Sequence, residues 1–322
     1  MRCSLFLLLC AACAQSVASP DAVTPRVLIH GFQATGPAEI TGTLPANRVL
    51  RTMQQYAVPA WSDLLATHVA HTLQDDSEAA VNVVRKPRQS GFEAARIVAN
   101  APADGQTLLL ATRLPPLSSG LRLEPVAMVA SMPYALVVRA GGSPKRVSDL
   151  IDRARSGNER LLVATTSAET IGFGALEVLR RQAPAIQPVA YNGGQSVLQA
   201  TVASHVAAGL VPLPSVLPYA GGGRLEVIAI ADAHRHPGIP DVPTTAEAGV
   251  AQLEAIAWIG VFAPGGTPAA TMRRLAVLLA RGPVSEQTTG VFSGLGIRLE
   301  HRDAGELTKL IGGDSRTPSR PL

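Results

Sequence analysis

Ala185-Ile186-Gln187-Pro188-Val189-Ala190-Tyr191-Asn192-Gly193-Gly194-Gln195-Ser196-Val197-Leu198 passes from a short apolar run that reads as a strand, through two glycines, into a segment apolar at roughly helical spacing from Ser196 to Val206. Glycines between a strand and a helix leave backbone N–H groups facing outward with no Cβ in the way. The first turn of a helix has unpaired N–H donors at the positive end of its dipole, so this corner is a candidate seat for an anion such as a carboxylate. Read alone, Asn192-Gly193 is equally a plain tight turn.

The same strand-then-helix rhythm extends in both directions. Upstream, Arg26–Ile29 reads as a first strand, and Asp63 stands as a helix N-cap before Leu64, Leu65, Val69 and Leu73, which share one face. A strand at Val81–Val84, a helix over Gly91–Asn100 and a turn at Pro102-Ala103-Asp104-Gly105 follow. Thr107–Ala111 is continuously apolar, as a strand buried on both faces must be. Further strands are expected at Pro125–Val129, Ala135–Arg139, Leu161–Thr165, Ile186–Val189, Val206–Leu210, Leu225–Ala231 and Trp258–Ala263. Helices are expected at Val147–Ser156, Ile171–Gln182, Ser196–Ala203, Ser215–Ala220, briefly near Ala246, and over Pro268–Ala280; Gly312–Leu322 reads as frayed. Repeated βαβ units of this kind build right-handed parallel sheets. The fold class is therefore α/β.

Arg2 followed by the apolar run Leu5–Ala12 and the small residues Ser16-Val17-Ala18 reads as a secretory signal peptide covering residues 1–18, with Ala12-Cys13-Ala14 as an earlier cleavage position. Acylation at Cys13 is a weaker alternative, because Cys10 stands where an aliphatic residue is wanted. All three cysteines lie in this segment, so the mature chain has neither a disulfide nor a thiol nucleophile, which fits a periplasmic protein held by its core alone. The chain is 16% charged and 4% aromatic. With Arg2 removed, 27 basic side chains face 24 acidic ones, a net of +3 that is too small for a nucleic-acid binder. No mature stretch is apolar enough for a membrane span.

Motifs that carry catalysis are missing. Gly172-Phe173-Gly174 lacks the third glycine of a dinucleotide loop, and neither a phosphate loop nor a Gly-x-Ser-x-Gly elbow occurs. His68 and His71, and His234 and His236, have no third ligand close in sequence and read as surface histidines. No cofactor is implied.

Seven segments together are more specific than any of these. They are Asp63-Leu64-Leu65-Ala66, Pro102–Leu110, Glu124–Ala130, Tyr191-Asn192-Gly193-Gly194, Leu213–Pro218, Ile239–Gly249 with its Pro-Asp-Val-Pro-Thr, and Ala257–Pro268 with Phe-Ala-Pro-Gly-Gly-Thr-Pro. In that order they resemble the periplasmic solute receptors of tripartite tricarboxylate transporters, the Bug-type binding proteins, over nearly all of the chain from about residue 60. The resemblance implies a two-lobed periplasmic binding protein, a Venus flytrap of type II-like form, each lobe a mostly parallel sheet flanked by helices. Lobe one would hold residues 19–125 and 230–322 and lobe two residues 126–229, with crossings near Val126–Val129 and Val227–Ile230. A small organic carboxylate would be gripped between the lobes, and closure would present a surface to the membrane permease subunits. A monomer is implied.

The ligand-binding positions that the resemblance implies are Tyr191, Asn192, Gly193, Gly194 and Gln195 on one loop, Ser167 and Thr170 on another, and Thr112 and Arg113 after the Thr107–Ala111 strand. Arg113 offers a bidentate partner for a carboxylate, or is a solvated loop arginine. Glu169, beside Thr170, departs from the family pattern. In the first loop Gly36-Pro37-Ala38-Glu39 competes with Val58–Asp63, of which Ser62 and Asp63 are taken as binding residues although Trp61 would crowd them. The family's last helix is not evident after Gly313. Two other readings stay open: an extracytoplasmic sensor for a two-component kinase, and a diverged relative that no longer binds ligand. An enzyme on the same frame is a third, disfavoured by the missing catalytic groups.

Overall fold

A computed structural model describes residues 26–30, 61–74, 81–86, 92–112, 120–156, 160–166, 171–191, 193–281 and 285–314. The signal peptide, Gly36–Glu39, Arg113, Ser167, Thr170, Glu169 and Asn192 lie outside these residues. One strand, β4 (Leu123–Arg139), organises everything else. Its first part, Leu123–Pro133, pairs antiparallel with β9 (Ile256–Pro264), and Ala127–Ser131 pairs on the other side with β10 (Arg298–Asp303). Its last part, Tyr134–Arg139, pairs antiparallel with β7 (Ala208–Pro212) and β8 (Leu225–Ile230).

Two fans of parallel strands are attached to this spine. Beyond β9 lie β3 (Thr107–Ala111), β1 (Arg26–His30) and β2 (Asn82–Lys86); beyond β7 lie β5 (Leu161–Thr165) and β6 (Ile186–Ala190). The ladders β1–β2, β1–β3, β5–β6 and β5–β7 are the parallel pairs that the βαβ rhythm demands, while every ladder to β4 is antiparallel. The result is a two-lobed α/β protein in which β4 belongs to both sheets. The sequence reading has two strands here, Pro125–Val129 and Ala135–Arg139, and the structure runs them together through Pro133. It is tolerated because the N–H it lacks falls where β4 changes partner: Tyr134 N–H next donates to Ala255 O at 2.8 Å.

Helices cover the sheets: α1 (Trp61–Leu73), α2 (Phe92–Ala99), α3 (Val147–Arg155), α4 (Ile171–Gln182), α5 (Gly194–Val202), the four-residue α6 (Leu213–Val216), α7 (Ala269–Ala280), α8 (Glu286–Gly294) and α9 (Ala304–Asp314). Leu108, Leu109 and Leu110 of β3 are all buried, as the unbroken apolar run requires. Trp258 and Phe262 pack edge to face at 6.0 Å in the core of the first sheet.

Four local expectations are corrected. Asp63 is not the N-cap but the third helical residue of α1, which starts at Trp61. The helix expected near Ala246 is a single turn: Thr244 N–H donates to Glu247 Oε2, Glu247 N–H donates to the Thr244 hydroxyl, and Gly249 at φ +85° ends it. The strand at Val206–Leu210 begins two residues later, after the positive-φ turn at Ser204. Finally, α8, β10 and α9 have no counterpart in the sequence reading. In α8 the sequence Glu-Gln-Thr-Thr-Gly is a poor helix former, started by the Ser285 hydroxyl accepting from Thr288 N–H at 3.1 Å and held by buried Phe292. β10, Arg-Leu-Glu-His-Arg-Asp, is a charged edge strand with little apolar pattern to detect.

Candidate functional site

Strand direction places the site. β3 runs the same way as β4, because each is antiparallel to β9; β5, β6 and β7 run against β4. The carboxyl ends of the two fans therefore point at each other across β4. Ala111 of β3 lies in one row with Gly260 and Met128, whereas Thr165, Ala190 and Leu210 lie in one row with Leu136. Met128 and Leu136 are eight residues apart, about 26 Å along a straight strand. Open α/β sheets bind ligands beyond the carboxyl ends of their strands, and here two such edges face each other.

One wall of this gap is the start of α5. Gly193 occupies the N-cap with φ 90° and ψ 161°, a conformation essentially confined to glycine, and it brings no side chain to the first-turn amides. Its N–H donates to Tyr191 O at 3.1 Å and to Thr166 O at 3.4 Å, and Tyr191 N–H donates to Thr165 O at 2.8 Å. The corners after β5 and β6 are thus tied together, so the expected binding residues Tyr191, Gly193, Gly194 and Gln195 stand beside Thr165 and Thr166 at the end of β5. No acid lies in the first turn of α5 to oppose an anion. Gln195 does not reach into open space: its Nε2 donates to Tyr219 Oη at 3.1 Å.

Ser215 was not legible as part of this corner. A Cβ built on Gly194 would lie 3.2 Å from its Oγ, so the hydroxyl on α6 stands over the glycine. The only local signal is its place in the Leu213–Pro218 segment, which names no role.

The opposite wall is set by β3 and α1. Thr112 follows the carboxyl end of β3 and is half-buried. α1 connects the parallel neighbours β1 and β2, so it runs back against them and starts at the same carboxyl edge. Ser62, 2% exposed, has a hydroxyl with no hydrogen-bond partner among the described residues, a costly arrangement in the absence of a ligand. Asp63 is buried beside it, in the first turn, where an acid favours the helix dipole. Further along α1, burial first and His71 second hold the pKa of His68 down to about 4, and its ring packs at 5.4 Å against Phe292.

His234 and His236 do not converge. His236 Nδ1 accepts from Gly238 N–H at 3.1 Å, so Nε2 carries the proton and donates to Ser293 O at 2.7 Å. Among the described residues no three metal-ligating side chains cluster, and no helix is long and apolar enough to cross a membrane.

Comparison with known proteins agrees with this geometry. The model of the "Tripartite tricarboxylate transporter family receptor" matches residues 65–314. BugT of Bordetella pertussis is 30% identical over 243 residues, 70% of this chain and 73% of BugT. The structure of MatC from Rhodopseudomonas palustris with bound malate superposes with a TM-score of 0.69 at 24% identity, over 92% of this chain and 98% of MatC. A second R. palustris protein, solved with adipate, superposes at 0.71 and 23% identity, over 90% and 93%.

Proposed function

Because the chain belongs to the tripartite tricarboxylate transporter receptor family, we propose that it is a periplasmic receptor that binds a small organic carboxylate and delivers it to the permease subunits of such a transporter. The observation that carries this reading is the start of α5, where Gly193 at the N-cap brings no side chain over the first turn and no acid lies in that turn. A carboxylate fits because it accepts several N–H donors at once and opposes the positive end of the helix dipole. Ser62, whose hydroxyl has no partner among the described residues, would contact the ligand from the other lobe. The malate and adipate of the two R. palustris proteins give the size class to try first.

The lobes are assigned by the change of ladder. On this reading the described residues up to Pro133 and from Ile256 onward belong to lobe one and those within Tyr134–Ala255 to lobe two, with the hinge where Met132–Tyr134 lies against Ala255–Ala257. The protein acts without covalent chemistry, as a monomer exported by cleavage of residues 1–18. A thermal-shift screen of mono-, di- and tricarboxylates, followed by calorimetry, tests the reading. A ligand at a hundredfold over its Kd adds about 2.7 kcal/mol of stability. If no carboxylate shifts the melting of the folded protein, the reading is wrong.

A further inference from the structure

The corner between α8 and β10 belongs to lobe one by its pairing, since Arg298 lies opposite Ser131 in the β4–β10 ladder. It nevertheless touches lobe two at three places of different chemistry. Arg298 NH1 pairs with Asp232 Oδ2 at 2.6 Å; Asp232 follows the end of β8, is 7% exposed, and accepts a second bond at Oδ1 from Ala233 N–H at 2.7 Å. His236 Nε2 donates to Ser293 O at 2.7 Å. Gly296, with φ +76°, lies so close to α6 that a Cβ there would meet Leu213 Cδ2 at 2.8 Å. The corner is also fixed within its own lobe. Arg298 Nε donates to Ser131 Oγ at 3.4 Å, Ser131 in turn donates to Glu300, and Arg302 NH2 donates to the other oxygen of Glu300 at 3.0 Å.

We propose that the α8–β10 corner is an inter-lobe latch: the Arg298–Asp232 ion pair, the His236–Ser293 hydrogen bond and the Gly296–Leu213 contact together fix the angle between the lobes. The hinge itself is one narrow ribbon, Met132–Tyr134 against Ala255–Ala257, so a contact to one side of it adds a restraint on the angle. The latch closes a second connection to one side of that ribbon, and a body held at two places cannot rotate about one. It also reaches the ligand seat through one short element. Leu213 receives Gly296 at one end of α6, while Ser215, two residues on, stands over Gly194 at the start of α5. A shift of α6 in one place is therefore felt in the other. This deepens the receptor reading, since it supplies the regulation of the same site.

The test needs no ligand. Cys3, Cys10 and Cys13 are replaced by serine, spin labels are placed at Arg181→Cys on lobe two and Arg273→Cys on lobe one, and the distance distribution is measured by pulsed electron resonance without carboxylate. Arg298→Met and His236→Ala each widen the distribution by at least half, whereas Arg139→Met, which removes a hydrogen bond to Ser204 inside lobe two, leaves it unchanged. Should Arg298→Met fail to fold, His236→Ala removes only the two hydrogen bonds of a surface side chain and carries the test. An unchanged width in His236→Ala and in any folded Arg298→Met overturns the latch, as does equal widening in Arg139→Met. A carboxylate screen that finds no ligand leaves this measurement standing, and a failed latch leaves the screen standing.

Discussion

Gly193→Ala separates a main-chain anion seat from a loop that merely joins two elements. At φ 90° and ψ 161° an alanine carries strain of about 1–3 kcal/mol. Three bonds resist relaxation: Gly193 N–H to Tyr191 O at 3.1 Å and to Thr166 O at 3.4 Å, and Val197 N–H to Gly193 O at 3.4 Å. Two of these are at or beyond the long end of hydrogen-bond geometry, so each contributes no more than about 0.5–1 kcal/mol. Strain and restraint are comparable, so the loop yields locally and the core is untouched. The amides then no longer point together. A loss of about 2 kcal/mol from ligand binding is a fall in affinity of roughly 30-fold. The melting temperature falls by less than about 4 °C, because the strain is released where it arises. Calorimetry with the carboxylate found by the screen, beside a circular-dichroism melt, reads both quantities. Affinity within threefold of the parent, whatever happens to the melt, would falsify the placement of these amides in the site.

Gly194→Val drives a branched side chain toward Ser215, whose Oγ already lies 3.2 Å from the first carbon added, and removes the calorimetric signal; retained binding takes that residue out of the seat. Ser62→Ala removes a buried hydroxyl that has no partner among the described residues, so without ligand the stability read from urea unfolding holds or rises, by up to about 1 kcal/mol, while affinity drops; a loss of stability instead would mean the hydroxyl is a structural group. His68 titrates near 4 in the folded chain and near 6.5 unfolded, so the unfolded state binds more protons between those values. Its contribution is whole above pH 6.5 and is lost as the pH falls toward 4, by at most ~3 kcal/mol. Urea midpoints at pH 7, 5.5 and 4.5 should fall less steeply in His68→Leu than in the parent, and parallel slopes would refute the burial argument.

Most of the fold between Asp63 and Ala263 could be read from periodicity, because parallel strands buried on both faces announce themselves as unbroken apolar runs. Leu108–Leu110 is the clearest case. What escaped had a physical reason in each instance. That Pro125–Val129 and Ala135–Arg139 are one strand does not show in the sequence, because the change of partner that accommodates Pro133 is a tertiary fact. β10 carries Arg298, Glu300 and Arg302 where a strand pattern wants apolar residues, and its stability comes from pairing with β4. In the site, Gly193 could be found because its conformation demands glycine. Ser215 could not, because its relevance comes from a different element approaching Gly194. The same holds for Asp232, His236 and Arg298, which are scattered through the sequence and meet only because β8 and β10 both flank β4.

The strength of the latch limits what it can do. The Arg298 side chain is 45% exposed and that of Asp232 9%, so one charge is largely screened while the other depends on its partner. After that discount the pair contributes about 1–2 kcal/mol, and the His236 bond about 1 kcal/mol. A ligand held at micromolar Kd brings about 8 kcal/mol. Against that, 2–3 kcal/mol biases the lobe angle by roughly 30- to 150-fold without being able to hold a ligand in or keep one out. Moving lobes from almost wholly open to almost wholly closed takes about 5.5 kcal/mol of differential affinity, which the ligand can supply and the latch cannot. The corner therefore sets the resting geometry from which closure starts, and the proposed delivery role is better served by such a bias than by a lock.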